Sequence, residues 1–243
     1  SVHVWINPLR CQTAEEFKKI SDEFITKKWF NEFEGEYIVN VDGRMWLNPA
    51  YSEVTELIVN GIIEIIKKYD ADGIHIDDYF YPTVSEDFDA KPFSESGESD
   101  LSKWRIENIN KLVSEIFSAI KDYDEDILFG ISPQGNINQN YNSQFADVKK
   151  WCSEAGFCDY IVPQIYFGFK NDSCPFDEVF NQWYDMTKES DISLIIGLAV
   201  YKQGKEDKWA GAGQNEWIDD PDVIKKQQDF ISEYENVGFS LYY

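Results

Sequence analysis

Apolar and polar positions alternate in two periods along this chain, and the two take turns. Val2–Ile6 alternates with a period of two, carries β-branched residues and stops at Asn7-Pro8, so it predicts a strand ended by a turn. Thr13–Phe24 has helical spacing, with Thr13 as N-cap and Glu16 three residues on. Residues 29–48 are irregular apart from a short hairpin at Val41-Asp42-Gly43-Arg44. Ser52 is expected to cap a helix over Glu53–Tyr69, whose Val54, Leu57, Ile58, Ile62, Ile65 and Ile66 share one face. Gly73–Asp77 reads as a short strand, followed by an acidic loop over Thr83–Ser99 and a helix from Asp100 to about Asp122. The strand Ile127–Ser132, the polar loop Gly135–Asn142 and a helix over Gln144–Ala155 come next. Strand Tyr160–Tyr166, helix Phe176–Ser190, strand Ser193–Tyr201 and a loop over 203–218 follow. A helix opening at Asp220-Pro221 and the strand Phe239–Tyr242 end the chain.

Strands and helices that alternate at this spacing predict a parallel sheet with helices outside it. No linker or repeat divides the chain, so residues 1–243 read as one domain. A doubly wound sheet would gather its site at one switch point. Here strand after strand ends in polar residues: Asn7 and Arg10, Asp77 and Asp78, Ser132, Gln164 and Tyr166, Tyr201. Barrel enzymes place their sites at the C-terminal ends of many strands, and no Gly-rich phosphate loop follows any strand here. The pattern favours a barrel, with six strands in place of eight.

Charge and composition narrow the partners. A net charge of −23 repels phosphates, which excludes nucleic acid and an anionic membrane surface. Aromatic residues make up 16%, enough to line a carbohydrate site as well as a core. Trp46, Trp209 and Trp217 fall in loops or at their edges, where a ring could stack on a sugar. Cys11, Cys152, Cys158 and Cys174 follow no zinc pattern, and the expectation is free, buried thiols with no metal and no cofactor. No apolar run approaches the ~20 residues of a membrane span. The chain starts at Ser1 directly in a strand, which reads as a processed or truncated start.

The stretch richest in chemistry is Asp72-Gly73-Ile74-His75-Ile76-Asp77-Asp78-Tyr79-Phe80-Tyr81-Pro82. Strand alternation sends Ile74 and Ile76 to the helices, and His75 and Asp77 to the opposite face. A carboxylate beside an imidazole at a barrel mouth either does chemistry or forms a structural His–Asp pair. Asp78 lies where alternation breaks, and either joins the cleft or caps the loop. Two carboxyls suit glycoside hydrolysis, one protonating the leaving oxygen while the other attacks or activates water. In Val162-Pro163-Gln164-Ile165-Tyr166, Gln164 and Tyr166 share a face and can bind sugar hydroxyls or plug the barrel. Asn7, Arg10, Asn48 and Tyr201 are weaker candidates for substrate contacts.

These residues carry a resemblance. Trp46-Leu47-Asn48-Pro49, DGIHIDDYFYP, Trp104-Arg105 with Asn108, Phe129-Gly130-Ile131-Ser132-Pro133, DYIVPQIY and Gly238-Phe239-Ser240 together resemble glycosyl-hydrolase-like family ten. The resemblance implies a (β/α)₈ TIM barrel and hydrolysis of O-glycosidic bonds in a polysaccharide, peptidoglycan glycan strands among them. It also implies an extracellular or cell-envelope setting. By position it makes Asp77 and Asp78 the acidic pair, with Gln164 and Tyr166 lining the cleft; His75, on the strand face of Asp77, is a further candidate for substrate contact. His3–Arg10 then matches the third barrel strand, so strands three to eight are present. An open edge follows, or a wedge filled by a second chain through self-association. A weaker likeness to chitinases with a D-G-x-D-x-D-x-E strand fails at His75 and at the missing Glu.

Leu194–Tyr201 carries no acid, which excludes the common arrangement with a nucleophile on that strand. The second carboxylate is then Asp78, an acid of Glu86–Asp89, or a group of the substrate itself. Two other readings stand beside the glycosidase. One is a carbohydrate-binding protein without turnover on the same scaffold. The other is a metal-dependent hydrolase using His75, Asp77 and Asp78.

Overall fold

The computed structural model describes residues 1–33 and 35–243; Glu34, inside the stretch expected to be irregular, lies outside the described residues. Backbone contacts divide the chain into two compact units, Ser1–Leu128 with Asn138–Asp147, and Phe129–Ile137 with Val148–Tyr243. The fold is α/β, with helix-linked strands that pair in parallel within each unit.

In the first unit, β1 (His3–Ile6) is followed by β2 (Arg10–Thr13), α1 (Ala14–Phe17) and α2 (Ile25–Glu32). Thr13 caps α1 as expected, its hydroxyl accepting from the Glu16 amide at 3.3 Å and donating to the Glu16 carboxylate at 2.9 Å. The expected helix to Phe24 stops at Phe17, however. Ser21 accepts from the Glu23 amide at 3.2 Å, a local bond that competes with helix. The helix α2 instead follows at Ile25 and runs on into the stretch read as irregular from residue 29.

β3 (Ile38–Val41) and β4 (Arg44–Leu47) form the expected hairpin, and β2 pairs antiparallel with β4 on its other side. Asp42 and Gly43 have φ of 49° and 79°, the two left-handed residues that a tight two-residue hairpin turn requires. α3 (Ser52–Lys68) begins one residue earlier than expected. Ser52 is its first residue and not its cap, since its hydroxyl bonds the Glu53 carboxylate and Tyr51 holds the cap position. Ile58, Ile62 and Ile66 on its inner face are buried.

β5 (Gly73–Ile76) pairs parallel with β1, Ile6 opposite Ile76. Ile74 and Ile76 are fully buried, as the alternation predicts. The expected acidic loop 83–99 contains a helix, α4 (Ala90–Ser96), that stops at Gly97 in the left-handed region with φ 77°. α5 (Leu101–Tyr123) starts where predicted, with Asp100 accepting from the Lys103 amide at 3.0 Å, and it packs on α3.

The second unit is built on β6 (Leu128–Ile131), β7 (Tyr160–Ile161), β8 (Ser193–Ala199) and β9 (Val237–Tyr242), paired in that order. The predicted polar loop 135–142 is largely helical, as α6 (Ile137–Ser143), which belongs from Asn138 on to the first unit, and its Asn140 is fully buried. α7 (Val148–Ser153), α8 (Phe176–Thr187), α9 (Glu216–Asp219) and α10 (Val223–Ile231) complete the helices. α10 opens after Asp222, not at Pro221 as expected. β7 is shorter than the predicted 160–166 because Pro163 has no N–H to give to a ladder. The line continues as single bridges, Gln164 to Gln134 and to Gly197. No described helix is long and apolar enough to cross a membrane.

Candidate functional site

In the first unit, the candidate residues gather at the C-terminal ends of β1 and β5. The paired register ends at Ile6 opposite Ile76, and Asn7 and Asp77 each follow directly on that last pair. On the same face of the strands, Trp5 lies opposite His75 and His3 opposite Gly73. A Cβ at Gly73 would lie 2.7 Å from the His3 ring, so this glycine makes room for the imidazole. His75 is pushed down to about 4 by burial, against the pull of Asp77 and with help from His3. The ring is therefore neutral at neutral pH, and can serve the site as a hydrogen-bonding group without a full charge.

Asp77 follows β5 directly, and its Oδ1 accepts from the Asp78 amide at 2.9 Å. This contact fixes the carboxylate where the strand turns into its loop. Tyr79, one residue on, carries the Arg10 guanidinium 4.2 Å above its ring centre. Trp46 stands on its other flank at 6.2 Å between centroids. Arg10 and Trp46 are themselves opposite each other across β2 and β4. Arg10 thus meets the loop of the acidic pair through an aromatic ring.

Asn7 and Asn48 have different surroundings. The Asn7 side-chain oxygen is buried and accepts no hydrogen bond. Asn48 is fully buried, and its amide donates to the carbonyls of Glu36 at 3.1 Å and Phe88 at 3.4 Å while its oxygen accepts from the Ala50 amide at 3.1 Å. It ties three loops together. Of the loop acids, Asp89 is 1% exposed and engaged by Arg105. Trp46 and Trp217 are buried as packing, at 8% and 0% exposure, whereas Trp209 is 91% exposed.

The second unit carries Gln164, Tyr166 and Tyr201. The Gln164 amide donates to the Ser132 carbonyl at 3.0 Å. A Cβ at Gly197 would lie 3.1 Å from the Pro163 carbonyl oxygen and 3.4 Å from the Tyr166 ring, so β8 accepts the close approach of this segment through a glycine. Tyr166 stacks on Tyr242 at 5.9 Å and 6°, and Tyr201 meets both rings edge-on at 5.9 and 5.6 Å. Burial pushes the Tyr201 phenol up, helped by Asp207 and Tyr242. Tyr242 was not among the sequence candidates; the signal for it was its place at the C-terminal end of the last strand. The three rings form an aromatic surface with phenol groups, a chemistry that suits the C–H faces and hydroxyls of sugars.

All four cysteines are free, Cys152, Cys158 and Cys174 buried and Cys11 half-buried. Among the described residues, no group of three or more His, Cys, Asp or Glu side chains is placed to hold a metal ion.

The chain is 31% identical over 222 residues to glycosyl hydrolase YngK of Bacillus subtilis (strain 168), covering 82% of this chain and 42% of the relative. It is 29% identical over 254 residues to glycosyl hydrolase DigH of Escherichia coli (strain K12), covering 94% of this chain and 56% of the relative. The chain thus spans about half the length of these relatives. Among solved structures, a Paenibacillus cycloisomaltooligosaccharide glucanotransferase complexed with cycloisomaltoheptaose superposes with a TM-score of 0.52 at 12% identity, over 84% of this chain and 27% of that one. That likeness is one of fold. The family model described as glycosyl hydrolase-like 10 matches residues 2–218, and the chain belongs to this family.

Proposed function

We propose that this chain supplies the catalytic site of a glycoside hydrolase that cleaves a polysaccharide, with peptidoglycan glycan strands as the substrate and the cell envelope as its setting. The whole protein is a (β/α)₈ barrel in this reading, and the chain contributes six of its parallel strands. The observation that carries the reading is the position of Asp77, at the C-terminal end of a buried parallel strand and directly after the pair of Ile6 with Ile76. Barrel enzymes place reacting carboxylates there. Asp77 is the principal catalytic carboxylate, and Asp78 is its acidic partner. One protonates the leaving glycosidic oxygen; the other attacks the anomeric carbon or takes a proton from the water that does. Neutral His75, and Gln164, Tyr166 and Tyr201, bind sugar hydroxyls, with Asn7 and Arg10 at the margin of the acidic pair and Asn48 holding its loops.

The test is hydrolysis of a polysaccharide panel, including peptidoglycan stripped of its stem peptides, by the wild type and by Asp77→Asn. Asp77→Asn is expected to lower kcat by about 100-fold or more, the usual contribution of a positioned acid or base. Equal turnover by both would remove Asp77 from the chemistry. Sugar binding without turnover in either would make the chain a carbohydrate-binding protein.

A further inference from the structure

We infer that Trp209 is an outer sugar-binding platform, on which a ring of the glycan chain stacks beyond the reacting bond. This rests on the glycoside hydrolase reading above. At 91% exposure Trp209 is the most exposed large hydrophobic side chain among the described residues. An indole in water forgoes favourable burial. The loop after β8 is braced at several points.

Lys202 Nζ donates to Asp207 Oδ2 at 2.7 Å and to the Tyr166 carbonyl at 2.8 Å. Asp207, 6% exposed, accepts through Oδ1 from the Trp209 amide at 3.3 Å and through its carbonyl from the Ala210 amide at 3.0 Å. Ala210 is 2% exposed, and its carbonyl accepts from the Asp172 amide at 3.2 Å. Asp172 Oδ2 closes the circuit by accepting from the Ala212 amide at 2.8 Å. Between them Gly211 has φ 59°, and a Cβ there would fall 2.1 Å from Asp172 Oδ2. Only a glycine lets the loop turn back so tightly. The backbone on both sides of Trp209 is therefore fixed, and much of the ordering cost of binding is met in advance.

The surroundings favour a sugar ring as the occupant. The Lys202 bridge ties this loop to Tyr166, whose ring belongs to the Tyr166–Tyr201–Tyr242 surface. Both features lie on segments that leave the C-terminal ends of β8 and its neighbours, the end where barrels bind substrate. An isolated flat indole offers a face to a pyranose. Lys205, Glu206 and Lys208 of the same loop are exposed, with groups that can bond ring hydroxyls.

The experiment is calorimetric binding of peptide-free peptidoglycan strands, sorted by length, to the full chain. Wild type, Asp77→Asn, and Asp77→Asn combined with Trp209→Ala, Trp209→Phe or Tyr166→Ala are compared. For strands of about six sugars or more, Trp209→Ala is expected to raise Kd about tenfold, which corresponds to about 1.4 kcal/mol. Trp209→Phe should recover most of the loss, and a disaccharide should bind Trp209→Ala as it binds the parent. The inference is overturned if Trp209→Ala binds long strands as tightly as its parent while Tyr166→Ala does not; the glycosidase reading then stands. Equal weakening at every length would also overturn an outer platform. Absence of binding by both wild type and Asp77→Asn would overturn the inference and the peptidoglycan reading together.

Discussion

Arg105 and Asp89 form a two-pronged ion pair with both side chains fully removed from solvent: Nε donates to Oδ2 at 2.9 Å and a terminal nitrogen to Oδ1 at 2.5 Å. The same guanidinium donates to the Ser85 carbonyl at 2.6 Å and lies 5.1 and 5.0 Å from the ring centres of Tyr81 and Phe145. Tyr81 belongs to the segment that carries Asp77 and Asp78. The pair therefore clamps the far end of the loop after β5 onto α5.

Removing one partner leaves the other charge buried without its counter-ion, at a cost of about 3–5 kcal/mol. Arg105→Met and Asp89→Asn should each lower the midpoint of urea unfolding by a corresponding amount. The double variant Arg105→Met/Asp89→Asn should be more stable than the sum of the two losses predicts. Additive losses would show that the two side chains do not act as a pair.

His75 predicts a pH dependence of stability. Its folded pKa, pushed down to about 4, lies below the ordinary imidazole value near 6.5. Between these two values the unfolded chain binds the extra proton, so this contribution is complete above pH 6.5 and is lost as pH falls toward 4. The full span is of the order of 3 kcal/mol. His75→Gln should flatten the fall in Tm between pH 7 and 4.5 relative to wild type. Parallel Tm curves for the two proteins would mean that His75 does not titrate in this window.

Gly130 and Tyr160 are opposite each other on β6 and β7, and a Cβ on Gly130 would lie 1.9 Å from the Tyr160 ring. Gly130→Ala should destabilise by about 1–3 kcal/mol through overpacking, measured by chemical unfolding. Combining it with Tyr160→Val should restore part of the loss. If Gly130→Ala is as stable as wild type, the ring does not need the glycine.

Much of the frame is local and was readable. The period-two run ending in Asp77, the Asp100 cap of α5 and the Asp42-Gly43 turn are decided by residues within a few positions of one another. Hydrophobic periodicity also placed α3 and its buried isoleucines. It failed for α2, α4 and α6, short helices in polar stretches whose apolar spacing is too brief to register.

What only the tertiary structure decided are relations between distant positions. The sequence offers Trp46, Trp209 and Trp217 as equals, yet two are buried and one is almost wholly exposed. It left Asp89 among the acids available for chemistry, while the fold commits it to Arg105, 16 residues on. Tyr242 joins Tyr166 from 76 positions away, beyond the reach of any local pattern. The place of Asp77 directly after β5 was legible because strand periodicity is local. The partners of Asp89, Trp209 and Tyr242 were not, because burial and ion pairing depend on which segments the fold brings together.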